Sequence, residues 1–349
     1  MNRLILSSIF IFLLMAVTIR NSYGQDPQYS QYYAAPLFLN PAMAGVELNE
    51  RIGFNYRVQW PNINSKFTTY SAYYDAHLPE LNSGIGFHFM QDKEVSTSVL
   101  TSTTLSSIYS YELQLARKVF FRTGFQASFM RKSLDFNSGQ FFSNNINELN
   151  PFGGPIGTNT LNLGEPVNML SLSVGGILIA ENLWIGASAF HLNQPNQSFF
   201  KDTNSSLPMK VNFHAGYRFS LGEGGFRSDF TTMSRERYFI PSINYKRQGP
   251  FEQLDLGAYL YLEPIVFGMW YRGLPFKPVQ SVSNRDALVM MVGVNLISGL
   301  NIGYSFDYTV SKIGIKSGGA QELSLSWTLP SRYQGKPLGR DTVLPCPKF

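Results

Sequence analysis

Residues 321–329 read QELSLSWTL, and their alternation is nearly unbroken. Leu323, Leu325, Trp327 and Leu329 fall on one side of an extended chain, with Glu322, Ser324, Ser326 and Thr328 on the other. Side chains of a strand alternate faces with a period of two. An entirely apolar face opposite a polar face that includes charge suits a strand placed between lipid and a wet interior.

The same pattern recurs about fourteen times, over 51–60, 69–78, 84–90, 98–116, 121–131, 169–180, 183–192, 210–220, 238–246, 253–262, 265–272, 287–297, 301–308 and 321–329. An even count is what a single-chain bacterial barrel requires. The sequence therefore predicts an all-β protein, a transmembrane antiparallel β-barrel of about 14 strands. A soluble β-sandwich would also alternate, but with charge on its outward face and Val, Ile and Leu inside. Here the polar face is rich in Gly, Ser and Asn with sparse charges of both signs, as a lumen lining is.

Composition agrees. Aromatic residues make up 15% of the chain and charged residues only 15%, against about 25% charged in ordinary soluble domains. The surplus of Phe and Tyr suits aromatic girdles at two lipid–water boundaries. Arg3, the apolar run 4–19 and the small-x-small triplet Ser22-Tyr23-Gly24 read as a signal peptide over 1–24. The barrel is expected over 50–329 and a periplasmic tail over 330–349. The net charge of +5 is dispersed except in that tail, at Arg332, Lys336, Arg340 and Lys348. No basic stripe with stacking aromatics points to nucleic acid. A single cysteine, Cys346, excludes an internal disulfide framework.

Loop lengths give the expected orientation. The connections at 79–80, 117–118, 181–182, 263–264 and 298–299 are tight, while 133–168, 193–208 and 273–285 are long. Short turns belong to the periplasmic end and long loops to the outside. The connection 221–237 breaks this rule by being long on the periplasmic side. The inward set holds Arg51, Arg57, Arg122 and Arg218 with Asp75, Glu112, Asp255, Asp307 and Glu322, and the inward aromatics Tyr73, Tyr259, Tyr261 and Trp270 narrow the space.

Catalytic chemistry has no support. His77, His88, His191 and His214 are scattered, with no HExxH or GxSxG spacing. Ser71, Asp75 and His77 share a strand face, but neighbours two apart lie about 7 Å from one another and form no triad by themselves. No catalytic residue, cofactor or metal site is assigned.

Residues 25–49 are too polar and proline-broken for a strand, yet Tyr29, Tyr32, Tyr33, Leu37, Phe38, Leu39 and Met43 need a place to bury, and Asn40-Pro41 suits a turn. Two fates compete for this N-terminal periplasmic segment: packing into the periplasmic mouth of the barrel as a plug, or docking on a partner. Candidate partner-binding residues are Tyr32, Tyr33, Leu37, Phe38, Asn40 and Pro41 here, Phe141, Phe142 and Phe152 in the long loop, Lys312 in the loop 309–318, and Cys346 and Phe349 in the terminal CPKF.

The phrase QDPQYSQYYAAPLFLNPAMAG (25–45), with GYSFDYTVSKIG (303–314), SGGAQELSLSW (317–327) and CPKF (346–349), resembles the PorP/SprF family of outer-membrane proteins associated with type IX secretion. One departure is Gln321, where the family often has His. The resemblance implies a non-enzymatic barrel in the outer membrane, surrounded by its lipid. Its partner would be a type IX secreted cargo protein, such as a gliding-associated adhesin with a C-terminal targeting domain. Periplasmic type IX or peptidoglycan-linked components are further expected partners. The residues alone leave a passive porin for small solutes as the alternative.

Overall fold

The computed structural model describes residues 25–95, 99–135, 165–199, 204–222, 237–279, 282–296, 299–311 and 314–329. Fifteen strands follow in chain order: β1 Arg51–Gln59, β2 Lys66–Leu78, β3 Ser83–Val95, β4 Val99–Ala116, β5 Val119–Asp135, β6 Val167–Ala180, β7 Leu183–Phe190, β8 Lys210–Tyr217 and β9 Phe219–Ser220. Then come β10 Arg237–Gln248, β11 Phe251–Leu262, β12 Ile265–Val279, β13 Val282–Asn295, β14 Leu300–Thr309 and β15 Ala320–Thr328. β8 and β9 pair with β10 in one register, interrupted only at Arg218, and form a single stave. The wall thus has fourteen staves.

Each stave is antiparallel to its neighbours, and β15 returns to pair with β1 from Arg51↔Thr328 to Gln59↔Ala320. Closure removes the sheet edges that hydrocarbon would leave unsatisfied. The alternation that predicted the strands is the burial pattern of the wall. Phe54, Phe87, Phe125, Phe213 and Leu325 are exposed outward, while Asn55, Ser106, Gln126, Asn212 and Ser324 are buried inward.

Two expectations need correction. The stretch 273–285 is largely strand and not loop: β12 runs to Val279 and β13 starts at Val282, paired with register shifts at Arg272/Gly273 and Leu274/Val279. Pro275 and Pro278 hid this strand, and bulges are where a wall tolerates proline. Tight turns also occur at both ends, since Gly249-Pro250 joins β10 to β11 at the long-loop end. Most of the long connections, 136–164 and 223–236, lie outside the described residues.

Residues 25–50 occupy the interior. The helical turn α1 Pro36–Leu39 and the 3-10 turn Pro41–Met43 follow one another, each begun by a proline that needs no N–H partner. Asn40 caps the second turn by accepting from Ala42 N–H at 2.9 Å. Leu37, Asn40, Ala42, Ala44 and Val46 have no solvent exposure.

Candidate functional site: the plugged lumen and its vestibule

From the long-loop end inward, the N-terminal segment meets the wall in successive layers. At the top, the Asp26 carboxylate lies 2.7 Å from Lys210 Nζ and 2.9 Å from His191 Nε2. Its backbone N–H donates to Gln248 Oε1 at 2.9 Å. Burial pushes this carboxyl up, but His191 and Lys210 outweigh it and hold Asp26 well below the usual carboxylate range. Lys210 Nζ also stands 4.2 Å over the Phe38 ring and 4.6 Å over Phe190.

One layer deeper, Ser30 sits inside a buried ionic cluster. Its hydroxyl donates to Asp307 Oδ2 at 2.6 Å and accepts from Arg57 at 2.6 Å and Arg272 at 3.1 Å. The Ser30 and Gln31 backbone N–H groups donate to the two oxygens of Glu322 at 2.7 and 3.0 Å. Arg57 pairs with Asp307 and Glu322, Arg272 with Asp307 and Asp255, and Lys246 Nζ stands 3.8 Å from Asp255. Three carboxylates face two guanidiniums and one ammonium, so the formal charges cancel. Such balance is what makes burial of the cluster tolerable.

Below it lies an aromatic layer. Tyr32 and Tyr33 pack edge-on against Tyr259, Trp270 and Trp184, with Trp184 Nε1 donating to Tyr33 Oη at 3.0 Å. Asn40 follows, its Nδ2 donating to Gly176 O at 3.0 Å and Ala187 O at 3.2 Å and standing 3.2 Å from His214 Nε2. Gly175 is glycine because a Cβ there would fall inside Asn40 Oδ1, and at Gly124 a Cβ would overlap the Pro41 backbone. At the short-turn end Arg122 donates to the carbonyls of Ala42 and Ala44, and Asp75 accepts from Gly45 N–H and from Arg51.

Above this packing the barrel opens into a vestibule at the long-loop end. One recess of about 520 Å³ and a neighbouring one of about 620 Å³ share Gln25, Asp26, Phe38, Trp60 and Lys210 in their lining. The start of the segment is the vestibule floor.

Of the sequence candidates, Tyr32, Tyr33, Leu37, Asn40 and Pro41 are buried in the lumen, and Phe38 is half-buried beside the vestibule. Phe141, Phe142, Phe152, Lys312, Cys346 and Phe349 lie outside the described residues. Arg51, Arg57 and Arg122 face inward as expected. Arg218 does not join the lumen cluster: where its stave breaks, it donates to Asn182 Oδ1 and lies over the Tyr238 ring. Sequence reasoning missed Arg272, although it shares the inward parity of Trp270. It also missed Asp26, Lys210 and Lys246, whose roles depend on contacts between distant segments.

Fold and lumen define a class: a membrane β-barrel closed from within by its own N-terminal segment. The chain belongs to the type IX secretion system membrane protein PorP/SprF family, which it matches over residues 21–327. No curated protein matches the chain. Among solved structures it is similar to the P. putida toluene transporter TodX, at 10% identity over 83% of this chain and 92% of that one, with a TM-score of 0.44. The CymD monoaromatic hydrocarbon channel gives 12% identity over 84% and 90%, at 0.40. CdiB from Acinetobacter baumannii gives 8% over 80% and 60%, also at 0.40.

Proposed function

We propose that this chain is an outer-membrane partner barrel for a type IX secreted surface protein, such as a gliding-associated adhesin with a C-terminal targeting domain. It would hold or help export that protein by docking at its rims. The observation that carries this reading is the lumen: the chain's own residues 29–47 fill it, bonded to strands around the wall. A passive porin needs a continuous aqueous path lined by its selective charges. Here those charges are spent on one another and on Ser30.

With short turns in the periplasm, the vestibule faces outward, where a surface protein would be met. β15 ends at the opposite rim, where periplasmic type IX or peptidoglycan-linked components are the further partners of this reading. The test is affinity purification from the outer membrane combined with planar-bilayer recording. Co-elution of a surface protein with no steady open current is expected. Recovery of the barrel alone, with large steady currents, would return the porin.

A further inference from the structure

The wall is not completed by strand pairing everywhere. β5 and β6 are paired along the whole length of β6, up to Lys132↔Val167. On its other side β6 meets β7 only from Val174↔Ala189 to Ala180↔Leu183. The seven residues Val167–Ser173, about 24 Å of extended chain, have no β7 partner.

Part of this gap lies at hydrocarbon depth. On the outer surface Phe129 and Leu170 stand opposite one another and are both exposed, whereas the next pair outward is Arg131 and Asn168. The lipid boundary on this face falls between those two rows. Leu170 and Leu172 are therefore on the lipid side of a seam with no ladder.

A side chain fills the place of the missing strand. At His191 the backbone turns left-handed, with φ 57°, and β7 ends. Leu192 N–H then donates to Leu172 O at 2.9 Å. Asn193 imitates a peptide: its Nδ2 donates to Leu170 O at 2.7 Å and its Oδ1 accepts from Leu172 N–H at 3.0 Å. With Ser171 Oγ and His191 Nδ1 2.8 Å apart on the inner side, four bonds close the seam, and two of them come from one rotatable amide. They lie in the first two rows below the boundary and back onto the vestibule, whose open end can hydrate the freed groups, so breaking them avoids the full penalty of polar groups stranded in hydrocarbon.

Behind the seam is the vestibule, lined there by Met130, Ser171, Ser173, Phe190 and His191. The approach is apolar: Met130, Met169 and Leu207 form a buried cluster with Val167 against it. Methionines are the side chains best able to yield to a flexible chain. Leu192 and Met209, on either side of the 193–208 connection, are exposed apolar residues on the outer face.

We propose that the seam between β6 and the end of β7 is a lateral window through which an acyl chain of the outer leaflet enters the vestibule, with Asn193 as its latch. An acyl chain is the occupant because the opening lies at hydrocarbon depth and its sides are methionine and leucine.

The test uses the full barrel with Cys346→Ser, carrying a fluorophore at Ser102→Cys on the vestibule wall, in vesicles of phosphatidylcholine brominated along the acyl chains. A second labelled protein, Leu172→Cys, gives the quenching of a lipid-facing position. Added Asn193→Ala is expected to raise quenching at position 102 at least twofold, to more than half the Leu172→Cys level. A disulfide between Leu172→Cys and Leu192→Cys, formed before labelling, is expected to remove it. If Asn193→Ala leaves quenching unchanged while the barrel keeps its heat-modifiable mobility, or if quenching survives the disulfide, the window is refuted.

Discussion

Asn40→Ala is the sharpest probe of how the segment is seated. Asn40 is fully buried and makes four polar contacts: Ala42 N–H, Gly176 O, Ala187 O and His214 Nε2, all between 2.9 and 3.2 Å. The Nδ2 amide has two hydrogens to share among its three neighbours, so Asn40 makes three hydrogen bonds at most; at about 1 kcal/mol net each, truncation should remove about 3 kcal/mol of plugged-state stability. Strand pairing would be untouched, since the residue is not in the wall. Gly175→Ala attacks the same contact from the other side, because its new Cβ overlaps Asn40 Oδ1. The two changes share one interface and should not add; the double variant should lie within about 1 kcal/mol of Asn40→Ala alone. Urea unfolding followed by tryptophan emission reads this directly, because Trp184 and Trp270 pack on Tyr33 and Tyr32. A loss under about 1 kcal/mol for Asn40→Ala, or strict additivity in the cycle, would refute the reasoning.

Other outcomes follow from the same geometry. Arg272→Leu takes from Asp255 its guanidinium, leaving it Lys246 at 3.8 Å, while Asp307 keeps Arg57; it should cost about 3 kcal/mol in the same unfolding assay, partly recovered by adding Asp255→Asn. Asp26 has a folded pKa below its unfolded value near 3.8, so its contribution is complete above that pH and lost as pH falls through the folded value. Protection of the amides at residues 25–28, taken relative to intrinsic exchange, should thus hold at pH 5 and fall only well below pH 3.8, with the dependence abolished in Asp26→Asn. Deleting residues 25–47 should convert a silent barrel into one with steady bilayer currents.

The staves were legible because lipid outside and polar packing inside impose opposite demands on adjacent residues, and each strand records that conflict locally. Tyr217 and His214, or Phe125 and Gln126, can be assigned to faces without knowing any partner. The segment 25–45 announced a need for burial through Tyr29, Tyr32, Tyr33 and Leu37, but not its seat. That seat is written in pairs such as Gln31 with Ser324, or Asn40 with Gly176, far apart along the chain. Strand parity fixes which way Ser324 points; it says nothing about what it meets. β12 beyond Arg272 was lost for another reason, since prolines at a bulge look like a loop when the neighbouring strand is unknown.

The position of the bonds decides how much of the segment can respond to a partner. Glu322 holds two backbone N–H groups, Asp307 holds Ser30 and two arginines, and Arg122 holds two carbonyls. Withdrawing residues 30–45 would break all of those bonds at once and leave the wall charges only one another. The tip differs. Asp26 is fixed by one carboxylate among Lys210, His191 and Gln248 at the edge of the vestibule, and Phe38 is only half-buried beneath it. A molecule arriving in the vestibule can compete for Lys210 and His191 at the expense of that one carboxylate, leaving the ionic and aromatic layers closed. A partner could therefore be sensed at the outer rim without the barrel ever becoming a channel. For that reason Asp26→Asn and deletion of the whole segment should give different phenotypes: altered partner retention with a silent lumen in the first, and open current in the second.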